Sequence, residues 1–147
     1  MGFGSMAWAI GASIGSAFSK NLTFCVVGDG SWLMSAQEIT VALQHKLPVV
    51  FIILNDSSLG MVYHGQKLGG QESIGWELPQ IDFSTQAQAM GVQAFRVNNT
   101  KELIDLDFKE IEHIAQSGPV LIDVRIDAQE VPPMGDRIKG ISATPGS

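Results

Sequence analysis

Residues 49–54, Val-Val-Phe-Ile-Ile-Leu, are six consecutive apolar side chains with no polar interruption. Successive side chains of a strand point to opposite faces, so a strand of this composition has to be covered on both. Parallel sheets flanked by helices meet that condition, whereas an antiparallel sheet with one wet face leaves a polar–apolar alternation. Two further runs, NLTFCVV at 21–27 and VLIDVRI at 120–126, have the same character, and a shorter one lies at 94–97.

The segments between these runs read as helices. Residues 5–18 form a small-residue helix. Ser35-Ala36-Gln37-Glu38 has the form of a capping box, which predicts a helix from there to about His45 with Ile39, Ala42, Leu43 and Lys46 on one face. Leu47-Pro48 ends it. Asp82-Phe83-Ser84 opens a short helix to about Met90. Residues 100–116 read as one helix carrying Leu103, Leu106, Ile111 and Ile114, closed by Gly118-Pro119. Residues 57–80, rich in Gly and Ser, read as a long irregular loop, which in a compact domain is usually functional. Strands alternating with helices predict an α/β fold, three layers deep (α/β/α), with a largely parallel sheet. The expected division is one domain over 1–130 and a fraying C-terminal tail over 131–147.

Composition narrows the partners. The net charge is −6 and no basic run or stripe occurs, so nucleic acid is not an expected partner. Residues 3–18 carry no charge, but they lack the basic leader of a signal peptide and are shorter than the ~20 residues of a membrane span. Gly11 and Gly15 there are read as letting a helix pack closely in a soluble fold. The single cysteine, Cys25, lies inside an apolar run. It forms no internal disulfide, is expected in the core, and suits a reducing, cytoplasmic setting.

Two strand ends carry unusual chemistry: Gly28-Asp29-Gly30-Ser31 and Asn55-Asp56-Ser57-Ser58. Glycines beside Asp29 permit positive φ and a close approach of ligand to backbone. Exposed N–H groups at such a turn suit a phosphate, which the carboxylate would repel unless a divalent cation lay between them. Mg²⁺ takes oxygen donors, commonly one or two carboxylates with substrate phosphates. Twenty-four residues, 31 to 54, separate Gly30 from Asn55. A helix and a strand fill that span, so one βαβ unit sets the two ends side by side and lets Asp29 and Asp56 share a cation.

GDGS, two dozen residues and ND resemble the metal motif of thiamin-diphosphate enzymes. Gly4-Ser5-Met6 with Ala12-Ser13-Ile14-Gly15, Leu59-Gly60-Met61-Val62, and Asp82-Phe83 with Ala87, Ala89 and Gly91 resemble segments of acetolactate synthases and related 2-oxo acid decarboxylases. The likeness covers roughly residues 2–126 and corresponds to their C-terminal, diphosphate-binding domain. It implies thiamin diphosphate and Mg²⁺ as cofactors. Asp29, Asp56 and the main-chain carbonyl of Ser58 would then ligate the metal, with Gly28 and Asn55 in the same two turns. Gly30, Ser31, Leu59 and Gly60 would hold the diphosphate. Met6, following Gly4 and Ser5, would prop the bent cofactor, and Met61 would line the site beside its reactive carbon. The chain departs from the family at Asp56, where Asn is commoner, and at Gly65, where biosynthetic acetolactate synthases carry Trp.

The same resemblance implies a partner. The activating glutamate belongs to a pyrimidine-binding domain for which no segment here could serve, so the chain is expected to be a fragment or a split subunit, inactive alone, working in a homo-oligomer on a small 2-oxo acid. The small subunit of a sulfopyruvate-type decarboxylase is one alternative. Others are a non-catalytic doubly wound nucleotide or FMN module, although GDGSWL lacks the third glycine of a dinucleotide fingerprint, and a purely structural subunit. His64 reads as a solvated loop residue, His45 as a complement to a helix C-terminus, and His113 as a helix residue without a nameable partner. Trp8, Trp32 and Trp76 read as packing anchors, Trp32 beneath the GDGS turn.

Overall fold

A computed structural model describes residues 4–130. The expectation of a fraying tail over 131–147 falls outside them. Twelve elements follow one another: α1 (Trp8–Ala17), β1 (Thr23–Gly28), α2 (Asp29–Ser35), a 3₁₀ turn (Ala36–Glu38), α3 (Ile39–Gln44), β2 (Val49–Asn55), α4 (Gly60–Leu68), α5 (Phe83–Ala89), β3 (Gln93–Val97), α6 (Thr100–Ile104), α7 (Phe108–Ala115) and β4 (Val120–Arg125). The four strands make one sheet in the order β1-β2-β4-β3, and every pairing is parallel.

The continuous apolar run is covered on both faces as far as Ile53. Val49, Phe51 and Ile53 of β2 join Cys25 and Val27 of β1 and Leu121 of β4 in a core with Ile10 and Ile14 of α1, Trp32 of α2, Ile39 of α3 and Phe83 of α5. The alternate residues, Val50 with Val120, Ile122 and Val97, pack instead against Ile111 and Ala115 of α7. Trp32 of α2 is buried, tilted against Phe51 at 5.4 Å between ring centroids, with its indole N–H donating to Gln86 Oε1. Cys25 is a buried free thiol, and burial pushes its pKa up.

Coverage is uneven. β1 is an edge strand whose outer-face residues Phe24 and Val26 are 48% and 55% exposed, and Leu54, beside them on β2, is also exposed. α7 reaches only the other half of that face. Among the described residues no helix is long and apolar enough to cross a membrane.

Local signals decided three boundaries differently from the sequence reading. The predicted capping box does not form: Ser35 makes no side-chain cap hydrogen bond, and the helical path begins six residues earlier at Asp29, with Gly28 as its N-cap. Residues 60–68, expected in the loop, are α4, whose start needs no capping side chain. The expected single helix over 100–116 is two, because Asp107 accepts from the amides of Lys109 and Glu110 and so caps a new helix inside the run. Asp82 caps α5 as the sequence suggested, accepting from the Thr85 amide.

The caps make a paired test. Asp107→Ala is expected to lower the unfolding free energy in urea by about 1 kcal/mol, since two amides of α7 lose their acceptor. Ser35→Ala is expected to change it by less than about 0.5 kcal/mol. A loss of similar size in both variants would contradict the cap assignment.

Candidate functional site

The parallel register sets Gly28 opposite Leu54, so β1 and β2 release the chain side by side at the same edge of the sheet. Asp29 follows immediately on one strand, and Asn55-Asp56 on the other. The two carboxylates line one cavity, and the negative charge of Asp56 acts on Asp29.

Asp29 is buried, at 3% exposure. One oxygen, Oδ1, accepts from the Gly30 amide at 2.7 Å. The other, Oδ2, is shut off from solvent with no hydrogen-bond partner. Burial raises the pKa of this carboxyl above its ordinary value of 3.8; the Gly30 amide opposes the rise, Asp56 adds to it, and the Ser57 and Ser58 amides oppose it. A buried carboxylate with an orphaned oxygen and a like charge beside it is a demand for a cation.

The second tip is held in an unusual path. Asp56 Oδ1 accepts from the Ser58 amide at 3.0 Å, and Ser57 between them adopts φ 57°, a left-handed conformation uncommon for serine. The segment is pinned from outside by the strand-like stretch 76–78: Leu78 N donates to Ser57 O at 2.9 Å and Leu59 N to Trp76 O at 2.6 Å. Ser58 is buried with its hydroxyl oxygen unpartnered. The two tips and the start of α4 line a cavity of about 650 Å³, bounded by Gly28, Asp29, Asp56, Ser58, Gly60 and Met61, together with His64, Ile126 and Glu130.

The glycines serve space rather than positive φ. Gly28 is extended, at φ −77°, and a Cβ there would meet no atom within 4 Å; it faces the opening. Gly30 lies in α2, and a Cβ on it would stand 2.8 Å from Leu59 Cδ2 and 3.1 Å from Met6 Cε. Met6 and Leu59 therefore pack against the turn itself. Gly4, Ser5 and Ser31 do not line the cavity. Nor does Asn55, whose Nδ2 donates to Ile81 O at 3.1 Å and to Asp123 Oδ1 at 2.8 Å.

Asp123 and His64 were not singled out correctly from the sequence. Asp123, in β4, has no exposed surface. Its Oδ1 accepts from Asn55 and its Oδ2 from the Phe83 amide at 3.0 Å, with Arg125 Nη2 3.7 Å from Oδ2. One acid inside VLIDV was the available signal, because a charge in a buried strand needs partners. His64, expected to be solvated, is buried on α4. His45 stands where expected, at the C-cap of α3.

Among the described residues no group of three or more His, Cys, Asp or Glu gathers as a metal cluster. The donors that the two strand tips themselves supply are two carboxylates, a hydroxyl and main-chain oxygens. That all-oxygen set suits a hard dication that completes its shell with ligand and water oxygens, as Mg²⁺ does.

Comparisons with known proteins identify the family. A family model described as thiamine pyrophosphate enzyme, C-terminal TPP binding domain, matches residues 1–124. The acetolactate synthase large subunit of Buchnera aphidicola subsp. Schlechtendalia chinensis is 34% identical over 146 residues, 96% of this chain and 25% of that protein. Pyruvate oxidase of Lactiplantibacillus plantarum is 34% identical over 128 residues, 86% of this chain and 21% of that protein. The crystal structure of benzoylformate decarboxylase from Polynucleobacter necessarius superposes with a TM-score of 0.74 at 25% identity, over 89% of this chain and 25% of that one. The chain thus spans about a quarter of the length of these proteins.

The raised pKa of Asp29 has a consequence for stability. Folding favours the protonated carboxyl, so its contribution is fully present below pH 3.8 and is lost as the pH rises through the elevated folded-state value. Above that value the ionised group costs stability. In metal-free buffer Asp29→Asn is expected to melt several degrees higher than the parent at pH 7, and the gain is expected to vanish as the pH falls to 3.8. Thermal melts across that range decide it; a gain independent of pH would contradict the electrostatic origin.

Proposed function

Because the chain belongs to the family of thiamine pyrophosphate enzyme C-terminal TPP-binding domains, we propose that residues 1–130 are the diphosphate- and Mg²⁺-binding half of an acetolactate synthase-like enzyme acting on 2-oxo acids. The observation that carries this reading is the buried, unpartnered Oδ2 of Asp29, on a carboxyl that shares one cavity with Asp56.

In this reading Asp29, Asp56 and the main-chain carbonyl of Ser58 hold the Mg²⁺. The segments Gly28–Ser31 and Asn55–Gly60 hold the diphosphate, and Met6, which packs against Gly30 and follows Gly4 and Ser5, props the cofactor. When bound, thiamin diphosphate supplies the electron sink for breaking the bond next to the carbonyl of a 2-oxo acid. The chain's own work is to hold the charges. Two carboxylates cancel one dication, and the glycine-lined space around them takes the phosphate, whose oxygens accept from free N–H groups of the two segments. Asn55 keeps the second tip in register through Asp123 rather than touching the ligand. Met61, half exposed on the cavity wall, offers the apolar surface for the reacting end.

The other half of the site belongs to a pyrimidine-binding domain, of the same polypeptide or of another chain in a cytoplasmic homo-oligomer. With half of the site absent, the chain alone binds cofactor weakly and turns nothing over.

Calorimetric titration with thiamin diphosphate tests the reading. Binding is expected with Mg²⁺ and not with EDTA, which a flavin or nucleotide module would not require. Asp56→Asn is expected to retain binding, and Asp56→Ala to weaken it by about tenfold or more. Equal affinities for all three proteins would remove Asp56 from the ligand set.

A further inference from the structure

His64 has no part in the ligand set above, yet it stands on the same cavity wall. Its side chain is almost wholly buried, at 4% exposure. Buried imidazoles ordinarily satisfy at least one ring nitrogen within the protein. Among the described residues neither nitrogen of His64 has a hydrogen-bond partner, and neither is among the polar atoms sealed from solvent. A ring that is buried, unpaired and unsealed, on a residue lining this cavity, has a nitrogen free to meet a ligand there.

The position is close to the charged tips. Gly60 lies four residues earlier on α4, on the same helix face. A Cβ on Gly60 would stand 4.0 Å from His64 Cδ2 and 3.6 Å from Asp56 Oδ2, so the imidazole is one contact removed from that carboxylate. The ring is held there from behind. Tyr63 packs edge-on against it, with centroids 4.9 Å apart, and Tyr63 in turn lies against Trp76 at 4.4 Å.

The rest of the wall explains what such a group does. Its charged side chains are Asp29, Asp56, Asp127 and Glu130, and its apolar ones include Leu54, Met61 and Ile126. An anion entering this space meets four acids. Among the lining side chains only the Ser58 hydroxyl and the His64 imidazole have a proton to donate to it.

We propose that His64 donates a hydrogen bond to an oxyanion lodged in this cavity, either a phosphate oxygen of the cofactor or the carboxylate of the 2-oxo acid. The assignment rests on the cofactor reading above. It places a ligand-contacting residue on α4, one turn beyond the segment that holds the diphosphate.

The chain has three histidines, so ring-proton spectra resolve the question in the unmodified protein, with His64→Gln supplying the assignment. Magnesium pyrophosphate is the phosphate probe; pyruvate, added to protein holding thiamin diphosphate and Mg²⁺, is the carboxylate probe. The His64 resonances are expected to move with one of them, and the probe that moves them names the source. The affinity for that probe is expected to fall about tenfold in His64→Leu and to return to within about threefold of the parent in His64→Gln, which keeps an N–H donor. If thiamin diphosphate binds the parent with Mg²⁺ but neither probe moves the ring, the His64 assignment is overturned and the cofactor reading stands. If thiamin diphosphate does not bind the parent, both fall.

Discussion

A carboxylate without any exposed surface, that of Asp123, holds the working end of this sheet together. It accepts from Asn55 at the end of β2 and from the first amide of α5, with the Arg125 guanidinium beside it. Each donor left without its acceptor at such depth costs roughly 1–3 kcal/mol, so the three elements are locked to one another. The lock determines where the chain is pointing when it leaves β2, and therefore where Asp56 stands. Asp29 needs no such device, because it leaves β1 directly into α2.

The two tips are built against their own electrostatic interest. Burial and a neighbouring acid both disfavour the charge on Asp29, while the left-handed Ser57 and the clasp with residues 76–78 hold the second acid in place. A cation relieves that conflict, and any free energy released on binding it is returned as stability of the surrounding turns. Ligand and fold are thus coupled at one spot, which is a common property of sites where strain and unsatisfied polar atoms collect.

Much of this was legible in the residues. The unbroken run in β2 required cover on both faces, and α1 with α3 and α5 on one side and α7 on the other supply it. The spacing of Asp29 and Asp56 required adjacent parallel strands, and the register of β1 with β2 supplies them. What escaped was set by competition between local signals or by tertiary context. Ser35 and Glu38 have the spacing of a capping box, but the helical path had already begun at Asp29. Asp107 looks like an ordinary polar residue of a helix face until its side chain takes the amides of α7. The burial of His64 depends on Tyr63, Trp76 and the strand tips closing around it, contacts that no periodicity in a Gly- and Ser-rich stretch announces.

The bare half of the sheet at β1 bears on how the molecule lives. Phe24 and Val26 stand in water on a strand whose outer edge has no neighbour among the described residues. Such a rim is adhesive: its free amides and carbonyls accept another strand, and its apolar surface rewards whatever lies across it. Solubility and assembly are consequently one property here, since the same patch that a cognate element would shelter is the one through which unsheltered copies would clump.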